Sequence, residues 1–150
     1  MNNLLFYREH KDAIIPSKKR LNDAGYDLYS IERITIMPNE RKLVPIGLRI
    51  ICPNNFFYTF APRSGLAFND NIIPSHFNVM DSNYTGDCSI LMFNRSNKAY
   101  TIEKNERFCQ LIIHQLPPMN VQEIDVEQFK QQQKLKKERL DDGFGSSGKF

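Results

Sequence analysis

Through the first two thirds of the chain, apolar residues come in short bursts, each closed by a turn signal. Arg33-Ile34-Thr35-Ile36-Met37 alternates and stops at Pro38-Asn39-Glu40. Gly47 to Cys52 ends at Pro53-Asn54-Asn55, and Phe56 to Ala61 is aromatic and strand-like. Cys88 to Phe93 runs into Asn94-Arg95-Ser96-Asn97, followed by Ala99 to Glu103 and Phe108 to Leu116. Turn signals at roughly ten-residue spacing predict an all-β domain, an antiparallel sandwich or barrel. No long helical stripe precedes residue 120, although a short helix fits after Ser64.

At Pro117-Pro118 the pattern changes. Residues 121–140 are highly polar, with Gln131-Gln132-Gln133 and the basic run Lys134-Leu135-Lys136-Lys137. Ile124, Phe129 and Leu135 form too thin a stripe for a well-packed helix, so an extended or partly helical linker is expected. The organisation that follows is a β domain over 1–118 and a polar linker with a Gly/Ser arm over 119–150.

Composition narrows the class. A chain of 150 residues is one domain by prior, with 41% hydrophobic and 25% charged residues typical of a globular protein. A domain this small gains from oligomerisation when it must build a deep site. The net charge of +3 is modest. No aromatic platform accompanies the basic run, so it reads as a solvated face and predicts no nucleic-acid partner. Cys52, Cys88 and Cys109 are widely spaced in apolar runs, which argues for buried reduced thiols rather than a zinc site or a disulfide framework. The start of the chain lacks a signal-peptide pattern, and no run approaches membrane-spanning length. A soluble intracellular protein, of cytoplasm or nucleus and without a membrane partner, is expected.

Five segments carry candidate chemistry. Ala24-Gly25-Tyr26-Asp27-Leu28-Tyr29 places a carboxylate in an apolar strand, where it needs a cationic or metal partner. Pro62-Arg63-Ser64-Gly65-Leu66-Ala67 offers a guanidinium, a hydroxyl and a glycine, a combination that suits phosphate oxygens or a simple turn. In Asp81-Ser82-Asn83-Tyr84-Thr85-Gly86-Asp87, Asn83 and Gly86 favour a hairpin turn. There Asp81 is either a local cap or a general base beside a ring that packs on a ligand. Gln110 interrupts the apolar run of Arg107-Phe108-Cys109-Gln110-Leu111-Ile112, so its amide bonds backbone or ligand. Gly143-Phe144-Gly145-Ser146-Ser147-Gly148 can wrap phosphates with backbone N–H groups and hydroxyls and cover a flat ring.

In this order, the five segments resemble the five motifs of the trimeric dUTPase (deoxyuridine 5'-triphosphate nucleotidohydrolase) family, over nearly the whole chain. The resemblance implies a jelly-roll β-barrel, a homotrimer with active sites shared between subunits, and a C-terminal arm that closes a site. It implies hydrolysis of dUTP to dUMP and diphosphate, with Mg2+ on the triphosphate. Asp81 matches the aspartate that activates water against the α-phosphorus, and Tyr84 the tyrosine beneath the deoxyribose. The hairpin backbone around residues 78–86, with Asn78 among the substrate-binding residues, reads the uracil edge. Asp27 matches the aspartate holding waters of the Mg2+ shell. Ser64, Gly65 and Gln110 match phosphate-site residues, and Arg63 an arginine nearby with a partly structural role. Arg139 aligns with the arm arginine that reaches the γ-phosphate. Phe144 is expected over the uracil, with Gly145, Ser146 and Ser147 on the phosphates.

The chain departs from the family pattern at His76-Phe77-Asn78, where glycines are common, and at Leu140, Asp141 and Asp142 in the arm. Two carboxylates beside a triphosphate repel it unless they turn away or meet a cation. The competing readings are a dCTP deaminase of the same fold, alone or bifunctional, and a catalytically silent binding module.

Overall fold

The computed structural model describes residues 2–136; Arg139, Asp141, Asp142, Phe144, Gly145, Ser146 and Ser147 lie outside them. The chain divides into two compact units, Met1–Pro117 and Pro118–Phe150.

The first unit is a two-layered β structure of jelly-roll type. Its strands are β1 (Leu5–Arg8), β2 (Gly25–Tyr29), β3 (Ile34–Ile36), β4 (Arg41–Ile51) and β5 (Phe56–Pro62). The helix α1 (Ser64–Asp70) precedes β6 (Ile72–Pro74), β7 (Asn78–Met80), β8 (Asp87–Asn94), β9 (Tyr100–Ile102) and β10 (Arg107–Gln115). One four-stranded sheet runs β1-β4-β8-β6, a second runs β2-β10-β5-β7, and β3 pairs with β9. All pairings are antiparallel.

Alternation fixes which side chains meet. Val44, Ile46, Leu48 and Ile50 of β4 join Ile90 and Met92 of β8 in one buried cluster with Leu28, Tyr58, Phe60 and Leu111 of the second sheet. Each such side chain, fully buried, contributes about 1.5–3 kcal/mol. The long strand β4 breaks register between Pro45 and Arg49. Pro45 has no N–H to give the ladder, so it is tolerated at such a break. Gly47 takes φ +66°, and its carbonyl accepts from the backbone N–H of Glu9 and of His10 at 3.0 and 3.2 Å.

Residues that alternate with the core set occupy the outer face of the second sheet. Register places Asp27, Gln110 and Ala61 abreast, then Gly25, Ile112, Thr59 and Val79, then His114 beside Phe57. The Phe57 and His114 rings stack at 4.7 Å, and His114 Nε2 lies 2.8 Å from Thr59 Oγ1.

One expectation is corrected, and another is made specific. The segment 81–87 does not close a hairpin, because β7 belongs to the second sheet and β8 to the first. It crosses between the layers through a tight turn, with Tyr84 N–H donating to the Asp81 carbonyl at 3.1 Å. In the second unit, the expected extended or partly helical linker contains an eleven-residue helix, α2 (Val126–Lys136). Its start is a reciprocal cap: Gln128 N–H donates to Asp125 Oδ1 at 2.8 Å, and Asp125 N–H to Gln128 Oε1 at 3.0 Å. Glu127 and Lys130 add an ion pair one turn apart. Among the described residues, no helix is long and apolar enough to cross a membrane.

Candidate active site

Two clefts open on the outer face of the second sheet. The first, of about 350 Å³, is lined by residues of three of the five segments: Gly25 and Asp27, then Arg63, Ser64 and Gly65, then Arg107 and Gln110. These come together because β10 lies between β2 and β5, so that Gln110 has Asp27 on one side and Ala61 on the other.

Asp27 meets the need for cations set by its place in an apolar strand. Arg63 Nε lies 3.3 Å from Oδ1, and an Arg107 guanidinium nitrogen lies 3.2 Å from Oδ2. Arg63 also donates to the Arg107 carbonyl at 2.7 Å. The three side chains form a brace, and the Asp27 side chain is 19% exposed. Arg107 was not singled out as a site residue in the sequence. The signal was available, since a strand-borne carboxylate calls for cations and Arg107 stands three residues before Gln110.

Gln110 Nε2 donates to the Pro62 carbonyl at 2.9 Å, which ties its amide to the start of the Arg63-Ser64-Gly65 turn. Ser64 and Gly65 open α1, whose N-terminal Arg63 makes no side-chain cap. Among the described residues, an added Cβ at Gly65 would meet no atom within 4 Å.

The second cleft, also about 350 Å³, is lined by Phe56, Phe57, Val79, Asp81, Ser82, Asn83 and Leu116. Asp81 follows β7 directly, next to Met80, which pairs with Tyr58, and it shares the cleft lining with Phe57. Tyr84 turns its hydroxyl onto the Asp87 carbonyl at 2.9 Å and packs over Gly86, where an added Cβ would meet the ring. Asn78 points the other way: it is 8% exposed and donates to the His76 carbonyl at 2.8 Å. That bond shapes the His76-Phe77-Asn78 stretch where glycines were expected.

Among the described residues, the clefts share none. Phe57 of β5 stands six residues before Arg63, which follows the strand directly, and Gln110 of β10 stands six residues before Leu116, which follows that strand, a span of about 20 Å at strand rise. The carboxylate Asp81 and the cationic brace therefore stand at opposite ends of one sheet face. Among the described residues, no three His, Cys, Asp or Glu side chains gather to hold a metal.

The dUTPase family model matches residues 11–148. The chain is 38% identical to the deoxyuridine 5'-triphosphate nucleotidohydrolase of Nautilia profundicola over 141 residues, covering 93% of this chain and 94% of that one. It is 35% identical to that of Candida albicans, covering 98% and 89%. Among solved structures, the fold matches a dUTPase of Staphylococcus bacteriophage 80alpha, a mutant with dUpNHpp, at a TM-score of 0.83. That match has 22% identity over 99% of each chain. A mutant dUTPase from phage phi11 of S. aureus, described with a structural Mg(II) ion, matches at 0.77 with 18% identity over 83% and 97%. With a family model spanning most of its length and curated relatives above 30% identity, the chain belongs to the dUTPase family.

Proposed function

We propose that the protein hydrolyses dUTP to dUMP and diphosphate. The observation that carries this reading is the pair of clefts on one sheet face, one lined by Arg63, Arg107, Ser64 and Gln110, the other by Asp81.

Water attacks the α-phosphorus in line. A new O–P bond forms, the bond from the α-phosphorus to the bridging oxygen breaks, and diphosphate leaves. Asp81 orients the water and takes its proton. Ser64, Gly65 and Gln110 bind phosphate oxygens, with Arg63 and Arg107 supplying positive charge behind them. Tyr84 lies against the deoxyribose and leaves no room for a 2'-hydroxyl. Backbone groups from Asn78 onward read the uracil edge. Arg139, Phe144, Gly145, Ser146 and Ser147 serve as a cover over base and phosphates.

Mg2+ fits this donor set as a cation carried by the triphosphate. Such an ion would keep several waters and need few protein ligands, and Asp27, braced by Arg63 and Arg107, would hold waters of its shell. Bound there, it would offset negative charge on the phosphates.

One copy does not suffice. The α-phosphorus sits next to its β and γ partners, yet Asp81 and the phosphate cleft of one chain are about 20 Å apart. The active site is therefore composed from two chains at least, in the homotrimer that the family resemblance implies, with the segment from residue 119 onward as the closing arm. The three buried free thiols fit a reducing intracellular setting, cytoplasm or nucleus.

The test is diphosphate release from dUTP with Mg2+. The wild type should release it, and Asp81→Asn should lose at least about a hundredfold in kcat. A wild type at background rules the enzyme reading out. Ammonia released from dCTP would favour the deaminase reading.

A further inference from the structure

The phosphate cleft has one more wall, formed by the segment before β2. Ser17 pairs with Asp27 as an isolated antiparallel bridge, with Asp27 N–H donating to the Ser17 carbonyl at 2.9 Å. This bond pins an otherwise irregular segment against the strand that carries Asp27. Lys18, the next residue, lays its ammonium 4.4 Å from the centre of the Tyr26 ring, a cation–π contact that occupies it. Lys19 lines the cleft itself, beside Asp23.

The charges of the cleft can be matched one by one. Arg63 and Arg107 both pair with Asp27. Asp23 Oδ2 accepts the backbone N–H of Arg20 at 2.9 Å, closing the turn at 20–23. Lys19 makes no ion pair among the described residues. It is an exposed ammonium on a flexible stem at the mouth of the cleft. An ammonium of that kind suits a phosphate chain, because it offers three donors and adapts to oxygens at several positions.

We propose that Lys19 is a phosphate-binding residue of this cleft, engaging the phosphate chain of the substrate and the diphosphate product. The inference rests on the dUTP reading for its substrate, and on the cleft alone for its ligand chemistry. It assigns Lys19 to binding and gives it no part in the proton transfer at Asp81.

The test uses the full chain with Lys19→Ala, Lys19→Arg and, as a control on the neighbouring cation, Lys18→Ala. In steady-state hydrolysis of dUTP with Mg2+, Lys19→Ala should raise KM roughly fivefold, the upper range for an exposed charge pair, with kcat within about twofold. Its KM should also climb less steeply with added salt than that of the wild type. Calorimetric binding of inorganic diphosphate should weaken by a similar factor. Lys19→Arg should restore both readouts, and Lys18→Ala should change neither. Unchanged KM and unchanged diphosphate binding in Lys19→Ala overturn the proposal, as does an equal effect of Lys18→Ala, which would reduce it to general surface charge. The calorimetry separates the two claims. If the wild type binds diphosphate through Lys19 but does not turn over dUTP, the dUTP reading fails and Lys19 stands. If the wild type turns over dUTP but binds no diphosphate, and KM is unchanged in Lys19→Ala, Lys19 falls and the dUTP reading stands.

Discussion

Gln110 folds its side chain against the bare backbone of Gly25, so that its amide oxygen fills the space a Cβ would take. The Cδ and Cβ atoms of Gln110 lie within 2.8 and 3.0 Å of the same point, so moving only the tip of the side chain does not relieve the clash. Gly25→Ala should displace Gln110 from the Pro62 carbonyl. The expected cost is about 1–3 kcal/mol in stability, as for other overpacked sites. The expected loss in kcat/KM is at least about tenfold, because a phosphate-binding amide is misplaced. Thermal melts and steady-state kinetics check both, and a variant with unchanged kcat/KM would show that Gln110 has no part in binding.

Gly65 gives the opposite case. Among the described residues nothing crowds it, so Gly65→Ala should leave stability unchanged or raise it by about 0.4–1 kcal/mol through the unfolded state. If KM for dUTP rises while the melting temperature holds, the glycine is there for the ligand. An unaltered KM would remove Gly65 from the site.

Among the described residues, the buried Tyr58 hydroxyl has no hydrogen-bond partner of the usual nitrogen or oxygen kind, and only the weakly bonding Cys88 thiol is near it. Burial, with the Cys88 thiol close by, pushes its ionisation far up. Removing an unsatisfied buried hydroxyl relieves a cost of about 1–3 kcal/mol, offset in part by the small cavity left. Tyr58→Phe should therefore be stabilising, by about 1 kcal/mol in urea unfolding. Destabilisation of that size would mean that the hydroxyl has a partner in solution.

Burial raises the Cys109 thiol to about 12 and the Cys88 thiol to about 11, from an ordinary value of 9.0. A raised pKa means that the folded state holds the proton more tightly than the unfolded state. This contribution is fully present below about pH 9 and is lost as pH rises through 11 and 12. Stability in denaturant titrations should be level in this respect between pH 7 and 8.5 and fall from pH 9 upward. The native thiols should react with a disulfide reagent far more slowly than in the denatured chain. Rapid native labelling at pH 8 would contradict the burial.

The strands carrying the site were legible because alternation and turn signals coincide at Phe56–Pro62 and Arg107–Gln115. The short strands β1, β6 and β7, of three or four residues, were not. Too few positions alternate, and partners in β4, β5 and β8 decide their place. The first half of β4 was hidden by Pro45, whose break in register only the neighbouring strands explain. For α2 the apolar stripe was the wrong signal to weigh, since the Asp125–Gln128 cap and good helix formers act without a buried face. In the clefts, Asp27, Arg63, Ser64, Gly65, Gln110 and Asp81 were visible as motif residues, but the brace on Asp27 required the β2–β10 register, and the separation of Asp81 required the lengths of β5 and β10.

That separation is the core of the account, and mixing two inactive variants tests it directly. Asp81→Asn lacks the base and keeps the phosphate cleft; Gln110→Ala with Ser64→Ala lacks the cleft and keeps Asp81. Each alone should release almost no diphosphate from dUTP. Unfolded together in equal amounts and refolded, they should recover about a quarter of wild-type activity, because each site draws its two halves independently from a symmetric assembly. If the co-refolded mixture, verified by sedimentation to contain mixed oligomers, stays as inactive as its parents, Asp81 and the phosphate cleft act within one chain and the shared site is wrong.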